Sequence, residues 1–269
     1  VIAGPGTGKT RTLVERIIWL INEKSVLPRT ILAVTFSNRA AREMTGRIEA
    51  VLSREGVQER PEITTFHKLG LKIIIENHNK FELKKEPLVL SENDMAYLFP
   101  RIAKQTKDSG NIPDFSCLEK RIIDFIEKNG DGIAIPGDIY KQIGDTFGRY
   151  AAYKRKHGLI DFIDLLILPL SLLANNQEIL AQYRQRWQHI FVDEYQDVNA
   201  LQYRLLRLLA PTGKDLFAIG DANQAIYGFR GADVGYFTRF KDDYPAAHMV
   251  TLTRSYRSTD TILKASGYM

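Results

Sequence analysis

With 269 residues, 44% hydrophobic and 26% charged, the chain is long enough to bury a large core, and its composition excludes a disordered or fibrous protein. Net charge of +5 and a pI near 9.1 permit a nucleic-acid partner without requiring one. The single cysteine, Cys117, excludes an internal disulfide and reads as a small buried hydrophobe in a reducing cytoplasm; the start is not a signal peptide, and no apolar run reaches membrane-spanning length.

The first stretch, VIAGPGTGKT, carries the strongest local signal. An apolar tail, Val1-Ile2, runs into Ala3-Gly4-Pro5-Gly6-Thr7-Gly8-Lys9-Thr10, and a helical pattern begins at once. This is the layout of a phosphate-binding loop, in which glycines let backbone N–H groups turn around a polyphosphate and the helix adds its positive end. Lys9 is placed to reach the β/γ-phosphates and the Thr10 hydroxyl to ligate Mg²⁺. Ala3 departs from the strict pattern, which has glycine there.

Leu13, Ile17, Leu20 and Ile21 share one helical face over Thr10–Lys24. Ile31–Phe36 is a short apolar run suited to a buried parallel strand, a helix follows from about Asn38, and Glu62–Phe66 is a further strand. Strand-helix alternation predicts an α/β fold with a doubly wound parallel sheet. Between about 78 and 158 the rhythm turns helical (about 91–104, 116–129 and 138–156), joined by polar stretches such as TKDSGNIPD (106–114), and reads as a helical insertion. The run Lys154-Arg155-Lys156 reads as a solvated helix face, with a DNA contact as the alternative. Beyond it, the segment from Asp161 to Ala174 reads as a buried helix interrupted by Asp161 and Asp164. Strands are then expected at 190–194, 216–221 and 249–253, with a helix at 199–210. Trp19 and Trp187 lie in apolar surroundings and read as packing.

A phosphate loop needs a partner carboxylate at the end of a neighbouring strand, and Phe191-Val192-Asp193-Glu194 supplies one. Asp193 is the candidate for the Mg²⁺ shell, and Glu194 for orienting and deprotonating an attacking water. Two acids after a strand also occur as helix caps; paired with the loop at 3–10 they point to ATP hydrolysis.

The string VDEYQD (192–197) resembles the signature of the UvrD/Rep/PcrA-type helicases of superfamily 1. AGPGTGKT resembles that family's first motif, where a leading alanine is usual. TFSNRAAREM (35–44), TFHKLG (65–70), IDFIDLL (160–166), GDANQAIYGFRGAD (220–233) and LTRSYRST (252–259) resemble further family motifs in order and spacing. Arg39, Phe229 and Ser255 stand where the family more often has Lys, Trp and Asn.

The resemblance implies a RecA-like P-loop NTPase sheet with an inserted all-helical subdomain. It divides the chain into 1–77 and 159–253 (RecA-like domain), 78–158 (insertion) and 254–269 (start of a second RecA-like domain). It implies ATP and Mg²⁺ as cofactors, with Ala3, Gly4, Pro5, Gly6, Thr7, Gly8, Lys9, Thr10 and Arg11 around the nucleotide. Gln224 would touch the γ-phosphate and Arg257 would approach it from the far side of the cleft, so that Lys9, Glu194, Gln224 and Arg257 form the catalytic set. Phe36, Tyr227 and Phe229 would stack on bases of single-stranded DNA, which tolerates any sequence. Asn38, His67 and Arg230 would contact its backbone or couple it to the nucleotide. Phe36 could instead be core, His67 a helix cap, and Arg39 and Arg42 solvated.

The implied activity is an ATP-dependent DNA helicase moving 3′→5′ on single strands and junctions in repair or replication, in the cytoplasm near the nucleoid. The alternatives are the helicase subunit of a recombination nuclease, a DNA-binding module with vestigial ATPase chemistry, and a P-loop ATPase acting on something other than nucleic acid. The chain also reads as cut at both ends, without the family's upstream adenine-reading motif or second RecA-like domain; alone it is expected to hydrolyse ATP weakly.

Overall fold

Apolar strands alternating with amphipathic helices build a parallel sheet in the computed structural model, which describes residues 1–81, 83, 86–104, 117–128, 136–226, 228, 232–259 and 261–262. The elements run β1 (Ile2–Ala3), α1 (Lys9–Lys24), β2 (Ile31–Thr35), α2 (Asn38–Arg54), β3 (Glu62–Thr65), α3 (Phe66–Glu76), β4 (Leu88–Val89) and α4 (Glu92–Ala103). They continue with α5 (Leu118–Lys128), α6 (Pro136–Gln142), α7 (Asp145–His157), β5 (Leu159–Ile160), α8 (Asp164–Asn175), α9 (Gln177–Arg186) and β6 (His189–Val192). The last are α10 (Ala200–Leu209), β7 (Leu216–Ala218), the one-turn helices α11 (Gly235–Thr238) and α12 (Phe240–Asp243), and β8 (Thr251–Leu252). No helix among the described residues is long and apolar enough to cross a membrane.

The chain divides into two compact units. The first comprises Val1–Thr65, Ala181–Asn199 and Leu209–Met269. Its sheet has the order β3-β2-β6-β7, all parallel, and β1 pairs with β8 while Ile2 bridges to Gly220 just past β7. Every residue of β2 is buried, as a central strand covered on both faces requires. Leu13, Val14, Ile17 and Ile21 of α1 and Met44, Ile48 and Leu52 of α2 close a core over Ile31, Ala33, Phe191 and Ile219. Val34 lies opposite both Thr64 and Val192, and Val192 opposite Ala218. That shared register brings the carboxyl ends of the strands out at one edge, where open α/β sheets bind ligands.

Trp187 is buried and stacked on Tyr183 with ring centroids 5.0 Å apart. Trp19 departs from expectation. At about 100° per residue, position 19 points away from the face shared by 13, 17 and 21, so the ring is 37% exposed. Arg16 and Lys24 lie over it at 4.2 and 5.0 Å, as cations do over an exposed indole.

The second unit comprises Phe66–Leu180 and Ala200–Leu208. The single helix expected at 138–156 is two, α6 and α7, because Gly144 adopts φ 147°, a conformation open to glycine that ends one helix and starts the next. Leu88–Val89 pairs with Leu159–Ile160 as a short parallel ladder that the helical rhythm did not announce, and α9 was likewise not anticipated. Ser91 and Asp94 form a reciprocal capping box at the start of α4. Cys117 is half-buried. The stretch 106–114 lies outside the described residues.

The largest correction concerns Lys154. Phe147, Tyr150 and Lys154 recur at i, i+3 and i+7, which puts the lysine on the buried face of α7, while Arg155 and Lys156 point to solvent. The Lys154 ammonium is 3% exposed and lies 2.6 Å from Asp161 Oδ2 and 2.5 Å from Asp164 Oδ2. Tyr140 donates its hydroxyl to Asp164 Oδ1 at 3.0 Å and accepts from Lys154 at 3.1 Å. Asp161 Oδ1 takes the Ile163 and Asp164 backbone N–H groups, so the same carboxylate starts α8. Burial and the Asp161 charge push Asp164 above the ordinary carboxylate range, and Lys154 opposes them. Two aspartates that looked like interruptions of an apolar helix therefore hold a cation inside the unit. Removing that cation strands two buried carboxylates, so Lys154→Met is expected to cost about 3–5 kcal/mol in a denaturant melt. Lys156→Ala on the exposed face should stay within about 0.5 kcal/mol of the parent.

Candidate functional site

The loop between β1 and α1 is shaped by its own hydrogen bonds. The Thr7 hydroxyl donates to Gly4 O at 2.8 Å, and Gly6 and Gly8 take φ of 72° and 91°. Gly8 immediately precedes α1, so the first free N–H groups of that helix face the loop. Ala3 is fully buried and donates its N–H to Gly220 O at 2.9 Å, a core position that needs no glycine. Thr10 is half-buried on the first turn of α1, and Arg11 is exposed, 3.9 Å from Glu15. At Gly6 a side chain would collide with the Arg257 Cβ and come within 2.9 Å of Ser255 Oγ. Ser255 Oγ donates to Pro5 O at 3.2 Å and Tyr256 N to Gly6 O at 2.8 Å, which seats the segment bearing Arg257 against the loop; the Arg257 residue itself is exposed.

Lys9 is the hub. Its side chain is 9% exposed and its ammonium donates to Gln224 Oε1 at 2.9 Å, with Glu194 Oε2 at 3.4 Å. These residues come from α1, the segment after β7 and the end of β6, brought together because the strands are parallel and in register. Gln224 donates from Nε2 to Asp221 Oδ2 at 2.5 Å, and Asp221 Oδ1 takes the Asn223 N–H at 3.1 Å. Glu194 has φ 48°, rare for a side chain other than glycine, and starts a short 3₁₀ turn over Tyr195–Asp197.

The carboxylates are electrostatically tense. Asp193 is buried, with the Glu194 N–H 3.1 Å from its Oδ1. Burial first and the Glu194 charge second raise its pKa to about 6, against the pull of that hydrogen bond and Lys9. Asp197 is raised to about 6 by the same two causes. A buried carboxylate of raised pKa beside a phosphate-shaped loop fits a divalent cation, which would offset that repulsion. Mg²⁺ takes one or two side chains and completes its shell with phosphates and water. Thr10 and Asp193 are the side chains of the right chemistry.

Of the DNA-contact candidates, Phe36 is half-buried just past β2 and Asn38 is exposed at the first residue of α2, which Ser37 caps through the Ala40 N–H. His67 lies inside α3, not at its cap; its ring meets Phe162 edge-on at 5.8 Å, and burial lowers its pKa. Tyr227, Phe229 and Arg230 lie outside the described residues. Three residues of the network were not singled out from the sequence: Gln196, Asp197 and Asp221. All lie inside the motif strings quoted for their neighbours, which was the available signal.

The chain matches the family described as UvrD/REP helicase N-terminal domain over residues 1–245. It is 36% identical over 270 residues to the ATP-dependent DNA helicase PcrA of Leuconostoc citreum, covering 99% of this chain and 36% of that protein. It is 34% identical over 274 residues to the PcrA helicases of Staphylococcus aureus and Staphylococcus epidermidis, covering 99% of this chain and 37% of each. The chain thus spans about a third of the length of these relatives.

The raised pKa of Asp193 has a consequence for stability. Between about pH 4 and 6 the folded protein keeps a proton that the unfolded chain has lost, so this group makes stability fall as pH rises through that window. In the absence of nucleotide and Mg²⁺, Asp193→Asn should stabilise the chain at pH 7 by about 1–3 kcal/mol. It should also lessen the pH 4–6 dependence of the melting temperature, to which Asp197 and Asp164 still contribute, while weakening Mg²⁺-dependent nucleotide binding.

Proposed function

The chain belongs to the UvrD/REP helicase N-terminal domain family, and from that premise we propose that it is the ATP-binding part of a helicase that moves 3′→5′ along single-stranded DNA. The observation that carries the reading is Lys9 joined at once to Gln224 and Glu194. A phosphate-binding cation, a sensor amide and a candidate base share one hydrogen-bonded site.

In this reading ATP lies along Ala3–Arg11. Lys9 leaves Gln224 and Glu194 for the β- and γ-phosphates, where its charge is better compensated. Gln224, released, follows the γ-phosphate. Glu194 orients water and takes its proton, and Arg257 approaches the transferred phosphoryl group from the segment seated on Gly6. When bound, Mg²⁺ supplies charge neutralisation of the polyphosphate, held by Thr10 and Asp193. Phe36, Tyr227 and Phe229 grip bases by stacking, and Asn38, His67 and Arg230 hold the backbone. The boundaries 1–77, 78–158, 159–253 and 254–269 belong to the same proposal, as do a cytoplasmic, nucleoid-associated location and a role in repair or replication.

Fluorescence anisotropy of a labelled single strand, with an equally long duplex beside it, tests the DNA half. Single strand should be preferred, and Phe36→Ala with Tyr227→Ala should lose roughly 5- to 150-fold for each stacked base removed. Equal binding of duplex and variant, abolished by modest salt, would show that the aromatics are structural. A second measurement concerns turnover. An arginine finger from a second RecA-like domain is worth about 10³–10⁵ in rate. The chain by itself is therefore expected to bind ATP but hydrolyse it slowly, and fast steady-state turnover by the isolated chain would refute this.

A further inference from the structure

A loop that turns its N–H groups toward a phosphate leaves its carbonyls on the outer side, where they need donors from elsewhere. The Pro5 and Gly6 carbonyls, at the tip of the glycine-rich loop, are both met by one distant segment. Ser255 Oγ donates to Pro5 O at 3.2 Å, and Tyr256 N donates to Gly6 O at 2.8 Å. The reason lies in the strands. β8 runs parallel beside β1, with Ile2 opposite Thr251 and Ala3 opposite Leu252. Both chains therefore leave at the same edge, and their continuations stay together as Pro5 meets Ser255 and Gly6 meets Tyr256. The β1–β8 ladder is thus prolonged into the loop. The fit is close, since a Cβ on Gly6 would lie 2.4 Å from Arg257 Cβ and 3.2 Å from Arg257 N. Arg257 is rooted on the backbone of the loop.

Within this seam the Ser255 hydroxyl serves two partners. It gives its one proton to Pro5 O, and its oxygen accepts the N–H groups of Arg257 and Ser258, each at 3.4 Å. That is the pattern of a serine closing the turn two and three residues ahead of it. One hydroxyl therefore binds the turn carrying Arg257 to the loop that would carry the phosphates.

We infer that Ser255 is a positioning residue that holds Arg257 over the phosphate loop for the chemical step. The inference rests on the ATPase reading above and deepens it. Its physical basis is preorganisation. An arginine on an unanchored exposed segment must be ordered at the moment of reaction, whereas one tied to the loop has that entropy lost beforehand. Asparagine has an amide donor and a carbonyl acceptor for the same two tasks, and alanine has neither. The Tyr256 N–H bond to Gly6 O belongs to the backbone, so side-chain changes at 255 probe the hydroxyl and leave the rest of the seam in place.

The test uses the full-length protein with Ser255→Ala, Ser255→Asn, Arg257→Ala and the Ser255→Ala/Arg257→Ala pair. Steady-state kcat and KM for ATP are measured beside ATP-analogue affinity and thermal melting. Ser255→Ala is expected to lose about tenfold in kcat, with KM and analogue affinity within about threefold of the parent. Ser255→Asn should recover most of that loss. Where Arg257 is already alanine, Ser255→Ala should cost less than about twofold more, because it acts through the arginine. An equal loss in both backgrounds overturns the inference, as does an unchanged kcat in Ser255→Ala or a failure of asparagine to rescue. A fall in melting temperature together with analogue affinity would make Ser255 a structural residue of the loop, and overturns it too. If the parent shows no ATPase, or Arg257→Ala alone leaves kcat unchanged, the underlying reading fails first, and no Ser255 variant is needed to see it.

Discussion

The site depends on one buried ammonium group. Lys9 is almost wholly withdrawn from water, and it is tolerable there because Gln224 and Glu194 receive it. Each receiver arrives from a different strand end, so the contact forms only when β1, β6 and β7 are parallel and in register. Partners that neutralise a cation must also be able to give it up. A glutamine amide and a single carboxylate oxygen are weaker hosts than a polyphosphate, so in the proposed reading these contacts would yield to one.

Around that cation the acids are crowded. Asp193, Glu194 and Asp197 fall within five residues, and burial together with mutual repulsion lifts the first and third toward neutrality. Such crowding opposes folding. In the proposed reading it sits beside the glycine-rich loop, where a divalent cation and phosphate would resolve it. The left-handed backbone at Glu194 belongs to the same pattern: a locally unfavourable choice, over-determined by Gln196 and by the ladder from Tyr195 to Ile219.

The second unit uses buried charge differently. Lys154, Asp161, Asp164 and Tyr140 satisfy one another closely, joining α6, α7 and the start of α8. A buried ion cluster of this kind adds little net stability over an apolar replacement, yet it is severely unforgiving of losing one member. Its geometry is that of a lock on helix register, in contrast to the exchangeable contacts of Lys9.

Much of the first unit was legible in the residues. The glycine spacing before Lys9, the apolar runs ending at Thr35 and Val192, and the paired acids after the latter each follow from local stereochemistry and from burial of a parallel strand. Repeating period and composition also announced α1, α2, α4, α5 and α8. What they could not decide was anything depending on a distant partner. Lys154 looks like its neighbours Arg155 and Lys156 until Asp161 and Asp164 fold beneath it. Trp19 looks like packing until the helix face is fixed, and the helix at 138–156 looks continuous until Gly144 takes its extended, positive-φ turn. The β4–β5 ladder links residues some seventy positions apart, and strands of two residues leave no periodicity to read. Gln196 was invisible for the same reason: an amide declares no charge, and its contacts come wholly from where Glu194 and Asp221 lie. The residues alone therefore determined which chemistry is present and in what order, because loop, strand and motif are local properties. Only the tertiary structure decided which charges are buried, which pair, and which side chain ties one motif to the next, because those are set by contacts between segments far apart in the chain.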